Sequence, residues 1–130
     1  MKDSKKYIDW INQAKQDLDA AIILFKYNGP KNIVAFHSHQ AIEKAYKAFL
    51  LCYKGILEEG HSLVFLNKLC SEINADFKHL QDKSLKMNKY YIKTRYPADY
   101  PLIVKNNEAS QAIETAKEII SFVEEKIGNI

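Results

Sequence analysis

Apolar residues recur at alternating steps of three and four along five stretches of the chain, the spacing of an α-helix that packs on one face. The first stretch covers about residues 4–27, with Ser4 as a possible N-cap, and the second covers about residues 31–53. Gly29-Pro30 separates these two stretches, and Gly55 follows the second. Because glycine adopts left-handed conformations easily and proline cannot continue a helix, both boundaries are typical of helix ends.

Three further helices are predicted downstream. One begins near His61 and Ser62, and the next ends before Pro97, because a residue that precedes proline disfavours the helical conformation. Residues 96–105 then form an irregular connection to a last helix over about residues 107–127. The core-facing positions predicted for these three helices are Leu63, Leu66, Cys70 and Ile73, then Phe77, Leu80, Ser84, Met87 and Tyr91, then Ala109, Ala112, Ala116, Ile119 and Val123.

The pattern predicts an all-α fold, an up-and-down bundle of four to five helices. No period-two alternation persists beyond a few residues, and three prolines and four glycines leave little material for β-turns. With 130 residues and 47% hydrophobic content, residues 1–130 fit one domain with one core, without repeats or linkers. The simplest arrangement has short connections between neighbouring helices.

The chain has no segment that predicts export or membrane insertion. The charged opening, residues 1–7, precedes no apolar run, and no run approaches the roughly 18 residues that a membrane span requires. Cys52 and Cys70 have no metal-type spacing and are interpreted as reduced thiols on apolar helix faces. We therefore expect a soluble, cytoplasmic protein without a membrane partner.

Polar residues form a stripe along one edge of the second helix. His37, Gln40, Lys44 and Lys47 follow one another at steps of three, four and three. They are candidate ligand-binding residues, with Gln40 and Lys44 donating to phosphate or sugar. Alternatively, the two lysines extend past an apolar face to solvent, and Glu43 supports Lys47 as an i, i+4 ion pair.

The stretch from Lys83 to Lys105 is basic, with a local balance of +5, whereas the chain from Asn106 onward has a balance of −3. The same stretch holds half of the eight tyrosines, Tyr90, Tyr91, Tyr96 and Tyr100. Basic groups interleaved with aromatic rings suit phosphate contact and base stacking. The alternative is a solvated row of lysines beside tyrosines at the edge of the core.

Arg95 is the only arginine of the chain. Its guanidinium is planar and permanently charged, so it can bind a phosphate or carboxylate with two parallel hydrogen bonds. Its place just before Pro97 predicts exposure at a helix end. It is therefore a candidate phosphate ligand, and the alternative is a structural ion pair with Asp17 or Glu43.

Together these residues resemble the HEPN family of small prokaryotic helical domains, which is named for nucleotide binding. The resemblance covers nearly the whole chain and depends on the order and spacing of several short motifs. The motifs are Trp10-Ile-x-x-Ala14-x-x-Asp17-Leu18-x-x-Ala21, Gln40-Ala-x-Glu43-Lys44-x-x-Lys47-Ala48, His61-Ser-Leu63 and Arg95-Tyr-Pro97, followed by a helix with Ala109 and Ala116.

The resemblance implies an all-α homodimer that works with a separate minimal nucleotidyltransferase subunit. It also implies that active relatives are metal-independent ribonucleases with an arginine, four to six residues and then a histidine. Here no histidine follows His79, and Tyr100 stands at the shortest of those spacings from Arg95. A phenol, with an ordinary pKa of about 10, is a poor base at neutral pH.

We therefore expect a binding module that contacts nucleotide or RNA phosphate through the polar stripe of the second helix, Arg95 and Tyr96. One alternative is a divergent, toxin-like ribonuclease of a toxin–antitoxin pair with Arg95 and Tyr100 as catalytic residues. Another is a purely structural helical partner. No cofactor is expected, and metal binding is not expected either, because His37 and His39 lie about 200° apart on a helix.

Overall fold

The computed structural model describes residues 2–91, 97 and 102–128, and its described part contains five α-helices. Their bounds are α1 Tyr7–Lys26, α2 Lys31–Lys54, α3 Leu63–Ile73, α4 Gln81–Met87 and α5 Asn106–Ile127. Short 3-10 segments, Ala75–Leu80 and Asn88–Tyr90, flank α4. No strand occurs among the described residues, so the all-α prediction is confirmed.

Helix α2 is the centre of the fold. It makes the most extensive contacts with α1 and α5, and it also contacts α3 and the Asn88–Tyr90 segment. Its sequence explains this position, because small and large apolar residues alternate around the helix and most of them are buried. The buried residues include Val34, Ala35, Ala41, Ile42, Ala45, Ala48, Phe49 and Leu50. Any polar side chain on α2 that points away from open solvent therefore needs a partner inside the bundle.

A buried hydroxyl network joins α2 to the α3–α4 half of the bundle. The Tyr46 hydroxyl lies 2.7 Å from Ser84 Oγ and accepts a hydrogen bond from Asn67 Nδ2 at 3.3 Å. Burial raises the pKa of Tyr46, so this phenol stays neutral and remains able to donate. The network holds α3 and α4 against α2, the helix that carries the candidate site.

The helix boundaries and core positions agree with the pattern except in a few places. Helix α1 has Lys6 rather than Ser4 as its N-cap, and Ser4 Oγ instead accepts from the Lys6 N–H at 3.0 Å. Gly55 has a φ of 69° and ends α2, as predicted. The pattern predicts that Ile73 faces the core, but Ile73 is 37% exposed, because it is the last residue of α3. The predicted fourth helix is divided between 3-10 and α geometry.

All five inward positions predicted for α5 are buried. Both cysteines are free thiols, with Cys70 buried and Cys52 half-buried. The parts of the predicted irregular connection that the structure describes, residue 97 and residues 102–105, are indeed not helical. Among the described residues, no helix combines the length and the apolar character needed to cross a membrane.

Candidate functional site

Helix α2 carries several buried polar residues in the middle of an otherwise apolar surface. Ser38, His39, Glu43 and Lys47 are each at most 6% exposed. Charged groups are rarely buried unless they are paired, because removing them from water costs several kcal/mol. Their partners therefore locate the polar centre of the molecule.

The first polar group, which we call the Asp17 cluster, consists of Asp17, His37 and Lys44. Lys44 Nζ donates to Asp17 Oδ2 at 2.7 Å, and His37 Nδ1 lies 3.2 Å from Asp17 Oδ1. The Asp17 side chain is 11% exposed, whereas the His37 side chain is 31% exposed. One carboxylate of α1 thus bridges an imidazole and an ammonium group of α2.

The second polar group, the Glu43 cluster, consists of Glu43, Lys47 and His61 and has the same plan. Lys47 Nζ donates to Glu43 Oε2 at 3.0 Å, and His61 Nδ1 lies 2.9 Å from Glu43 Oε1. The side chains of Glu43 and Lys47 are only 4% and 7% exposed, and that of His61 is 47% exposed. This cluster therefore connects a buried ion pair to an accessible imidazole just before α3.

Aromatic rings pack against the Glu43 cluster. The Tyr91 ring stacks on His61, with ring centroids 4.0 Å apart and an angle of 14° between the planes. Tyr91 also lies 5.5 Å from His39 and 6.3 Å from Phe36, measured between centroids. These contacts place Tyr91 beside the Glu43 cluster.

His39 is the most enclosed imidazole of the site. Its Nδ1 lies 3.3 Å from Gln40 Oε1, and its Nε2 has no hydrogen-bond partner among the residues that the structure describes. Burial lowers the pKa of His39, and the charge of Glu43 opposes that effect only partly. The ring is therefore uncharged near neutral pH.

We expect His39 to make the fold sensitive to acid. Because its pKa is lower in the folded than in the unfolded chain, the unfolded chain binds the proton first, and stability is lost as pH falls below about 6.5. The loss should approach about 1.4 kcal/mol per pH unit between the two pKa values. Urea denaturation between pH 7.5 and pH 5 would measure this slope. His39→Gln should flatten it, and His79→Gln at an exposed position should not.

A cavity of about 540 Å³ opens beside the Glu43 cluster. Lys47, His61 and Trp10 line it together with the N-terminal segment and the loop before α3. Trp10 Nε1 donates to the Ser4 carbonyl at 2.9 Å, and Lys47 Nζ lies 6.0 Å from the Trp10 ring centroid. Trp10 also lines a second cavity of about 320 Å³ with Lys44, so the indole connects the surroundings of both clusters. Volumes of this order are typical of ligand sites.

The basic stretch predicted from the sequence is faced by acidic residues of α5. Lys83 forms an ion pair with Glu118, and both line a cavity of about 770 Å³ between α4 and α5. Lys86 and Lys89 line it opposite Glu108 and Glu114 as well. Lysines of the basic stretch thus face glutamates of the acidic last helix. This proximity weakens the electropositive surface that the sequence predicted.

The predicted ligand residues do not form one site in the structure. His37 and Lys44 lie in the Asp17 cluster, Lys47 lies in the Glu43 cluster as the predicted alternative ion pair, and Gln40 contacts His39. Arg95, Tyr96 and Tyr100 lie outside the described residues.

Four residues of the site were not among the predicted ligand residues: Asp17, Glu43, His61 and Trp10. For Asp17 a signal existed, because a carboxylate stands among the apolar positions of α1 three residues after Ala14. His61 had no such signal, since its role depends on a loop that returns to α2. Across the part of the chain that the structure describes, no group of three histidines, cysteines or carboxylates could hold a metal ion.

Comparison with known proteins shows similarity along nearly the full chain. A family model described as HEPN domain matches residues 7–126. The protein of Methanocaldococcus jannaschii named Putative toxin MJ1304 is 31% identical over 137 aligned positions, which cover 92% of this chain and 89% of that protein.

Two solved structures resemble the fold closely. TT1696 from Thermus thermophilus has a TM-score of 0.81 and 30% identity, covering 95% of this chain and 99% of that one. ST0689, described as an archaeal HEPN homologue, has a TM-score of 0.73 and 29% identity, covering 98% of this chain and 99% of that one.

Proposed function

The chain belongs to the HEPN family, and from this premise we propose that it is a binding module for nucleotide or RNA phosphate. We propose further that it is cytoplasmic and works with a separate nucleotidyltransferase subunit. The main support for phosphate binding is that the same arrangement occurs in both clusters. In each of them, a buried carboxylate contacts a lysine and a partly exposed histidine.

The charge of each cluster supports this proposal. In both clusters the carboxylate offsets one lysine, so the partly exposed histidine adds a net positive charge whenever it is protonated. Lys2 and Lys5 line the cavity beside His61, although Asp3, Glu58 and Glu59 line it as well. A permanent cation would complete such a site.

Arg95 is the candidate for that cation. Four residues of extended chain span at most about 14 Å, and Tyr91, four residues earlier, contacts His61 directly. This length of chain is compatible with the contact that we propose between Arg95 and a phosphate held at the Glu43 cluster. We propose Tyr96, the next residue, as a stacking contact for a base.

Calorimetric titration with ATP and with a short single-stranded RNA tests the proposed binding. We expect saturable binding that weakens as salt rises, since phosphate contacts release counterions. Absence of binding to both ligands at low salt would leave only the structural helical partner. The proposed partner is tested separately. We expect a short nucleotidyltransferase reading frame beside this gene and co-elution of its product with this protein on a sizing column.

We also propose a homodimer. Helix α1 leaves Ile8 and Ile23 44% and 57% exposed, and α4 leaves Leu85 62% exposed, so apolar surface remains outside the core. A stable dimer should bury on the order of 1,200 Å² or more in total. Light scattering at micromolar concentration should give the mass of two chains. The mass of one chain throughout a dilution series would contradict the prediction.

A second candidate function is a divergent ribonuclease with Arg95 and Tyr100 in the active centre. The name of the M. jannaschii relative, Putative toxin MJ1304, favours this candidate over a purely structural helical partner. Incubation of labelled RNA with the purified protein and a chelator tests this candidate. Tyr100→Phe should abolish cleavage if the phenol takes part.

A further inference from the structure

Asn67 on α3 is a buried amide whose orientation is fixed by its neighbours. The residue is 2% exposed. Its Nδ2 donates to the Phe77 carbonyl at 3.0 Å and to the Tyr46 hydroxyl at 3.3 Å. Because a carbonyl oxygen can only accept, the contact with Phe77 determines which end of the amide faces it. Both protons of Nδ2 are therefore used, and Oδ1 is left for another partner.

The Oδ1 atom of Asn67 is an unused acceptor at the edge of a cavity. It accepts no hydrogen bond from any residue that the structure describes. It is not sealed in the core either, because within the described part of the chain His39 Nε2 is the only fully enclosed side-chain nitrogen or oxygen without a partner. Asn67 lines a cavity of about 520 Å³. An almost buried acceptor costs free energy unless something donates to it, so Oδ1 favours a bound donor in this cavity.

The cavity lies between α3 and residues 75–81 and offers charges of both signs. Its lining includes the carboxylate of Glu72 on one side, and the ammonium group of Lys78 and the amide of Gln81 on the other. None of these three side chains pairs with a residue in the described ranges. Val64, which is half-buried, adds an apolar wall.

These groups complement the two ends of an amino acid zwitterion. An ammonium group is only a donor, and Asn67 Oδ1 and Glu72 are acceptors for it. A carboxylate is only an acceptor, and Lys78 and Gln81 carry the donors that match it. An aliphatic side chain suits the wall formed by Val64. A volume of this order is typical of small-molecule sites.

We propose that this cavity binds a free α-amino acid with an aliphatic side chain, and that Asn67 Oδ1 accepts a hydrogen bond from its ammonium group. The cavity shares no lining residue with the two cavities beside the Asp17 and Glu43 clusters. The inference is therefore independent of the proposed phosphate contact. The larger cavity between α4 and α5 offers less, because Lys83 and Glu118 already pair with each other there.

Titration of ¹⁵N-labelled protein with L-leucine, followed by NMR, tests the inference without any substitution. The side-chain amide signals of Asn67 should shift and saturate, with a dissociation constant of about 1 mM or tighter for a ligand of this size. The side-chain amide of Asn12, at an exposed position on α1, is the internal control and should not shift. If leucine, isoleucine and valine all leave the Asn67 signals unchanged far above that concentration, the inference is wrong.

Two analogues of leucine test whether both charges are recognised. N-acetyl-leucine lacks the ammonium group, and leucinamide lacks the carboxylate. Each should bind at least about tenfold more weakly than leucine, since each loses charge-assisted hydrogen bonds. Analogues that bind as tightly as leucine would overturn the assignment of the cavity to a zwitterion.

Glu72→Gln and Lys78→Ala test the two ends of the site at exposed positions, where substitution should leave the fold intact. Each variant should weaken binding of leucine by about tenfold. Glu114→Gln and Lys86→Ala are the matched controls, because they make the same changes at exposed positions outside this cavity, and they should bind leucine normally. Normal affinity in both site variants would contradict the proposed contacts.

Discussion

Glu43→Gln is expected to lower the free energy of unfolding by about 3–5 kcal/mol, as removing one member of a buried ion pair does. Glutamine has nearly the same shape, so the loss would come from charge rather than from packing. Without the carboxylate, the ammonium group of Lys47 would remain in a site where its side chain is only 7% exposed. His61 would lose its charged partner as well. Urea denaturation monitored by circular dichroism measures the difference.

Asp17→Asn is the matched comparison, because Asp17 holds a lysine and a histidine in the same way. Lys44 is 19% exposed and His37 31% exposed, so both reach water more easily once the carboxylate charge is removed. We expect a smaller loss, about 1–2 kcal/mol. Equal losses in the two variants would show that burial does not determine the cost of the unpaired charge.

Replacing both members of the Glu43–Lys47 pair by leucine gives a further check. Well-packed apolar residues often replace a buried ion pair without loss of stability. The double variant should therefore be more stable than Glu43→Gln. If the double variant is instead less stable than Glu43→Gln, the ion pair itself stabilises the fold more than packed leucines do.

The fold was predictable from the sequence because the spacing of the apolar residues within each helix identifies the face that is buried. The spacing of Ala109, Ala112 and Ala116 is enough to orient α5, and all three are buried. Gly55 ends α2 because of its own backbone conformation, a left-handed one with a φ of 69°. Where the prediction was wrong, as for Ile73, the apolar periodicity continued to the last residue of α3, which is 37% exposed.

The site was predictable only in part, because its geometry depends on contacts between distant segments. The sequence identified the polar stripe of α2, yet Lys44 is paired with Asp17 from α1, 27 positions away. His61 reaches Glu43 across 18 positions through a loop whose path no periodicity encodes. The local pair Glu43–Lys47, by contrast, followed from the i, i+4 spacing alone.

The same limit applies to charge. The sequence shows a basic stretch and an acidic last helix as separate features, but not that Lys83 pairs with Glu118. The net charge of a stretch adds the charges of residues that are adjacent in sequence. The surface potential depends instead on the charges that lie close together in space. The phosphate proposal therefore depends on the two carboxylate clusters and Arg95 rather than on the row of lysines.

Arg95→Ala should weaken binding of a nucleotide or RNA by about 1.5–3 kcal/mol, roughly tenfold to a hundredfold in the dissociation constant. A guanidinium can hold a phosphate with two charge-assisted hydrogen bonds, and alanine can hold none. Stability should change by no more than about 1 kcal/mol, as is usual for surface substitutions. Thermal melts and calorimetric titrations on the same samples measure the two effects.

Lys68→Ala serves as the control for Arg95→Ala, since it removes an equal charge from an exposed position on α3 outside both clusters. It should leave affinity within about twofold, because a distant exposed charge acts only through a screened field. If Arg95→Ala instead lowers the melting temperature strongly and leaves affinity unchanged, Arg95 is a structural partner of a buried carboxylate. Asp17 and Glu43 are the two carboxylates that would then have to be tested, and the phosphate would have to be held by the lysine and histidine of each cluster alone.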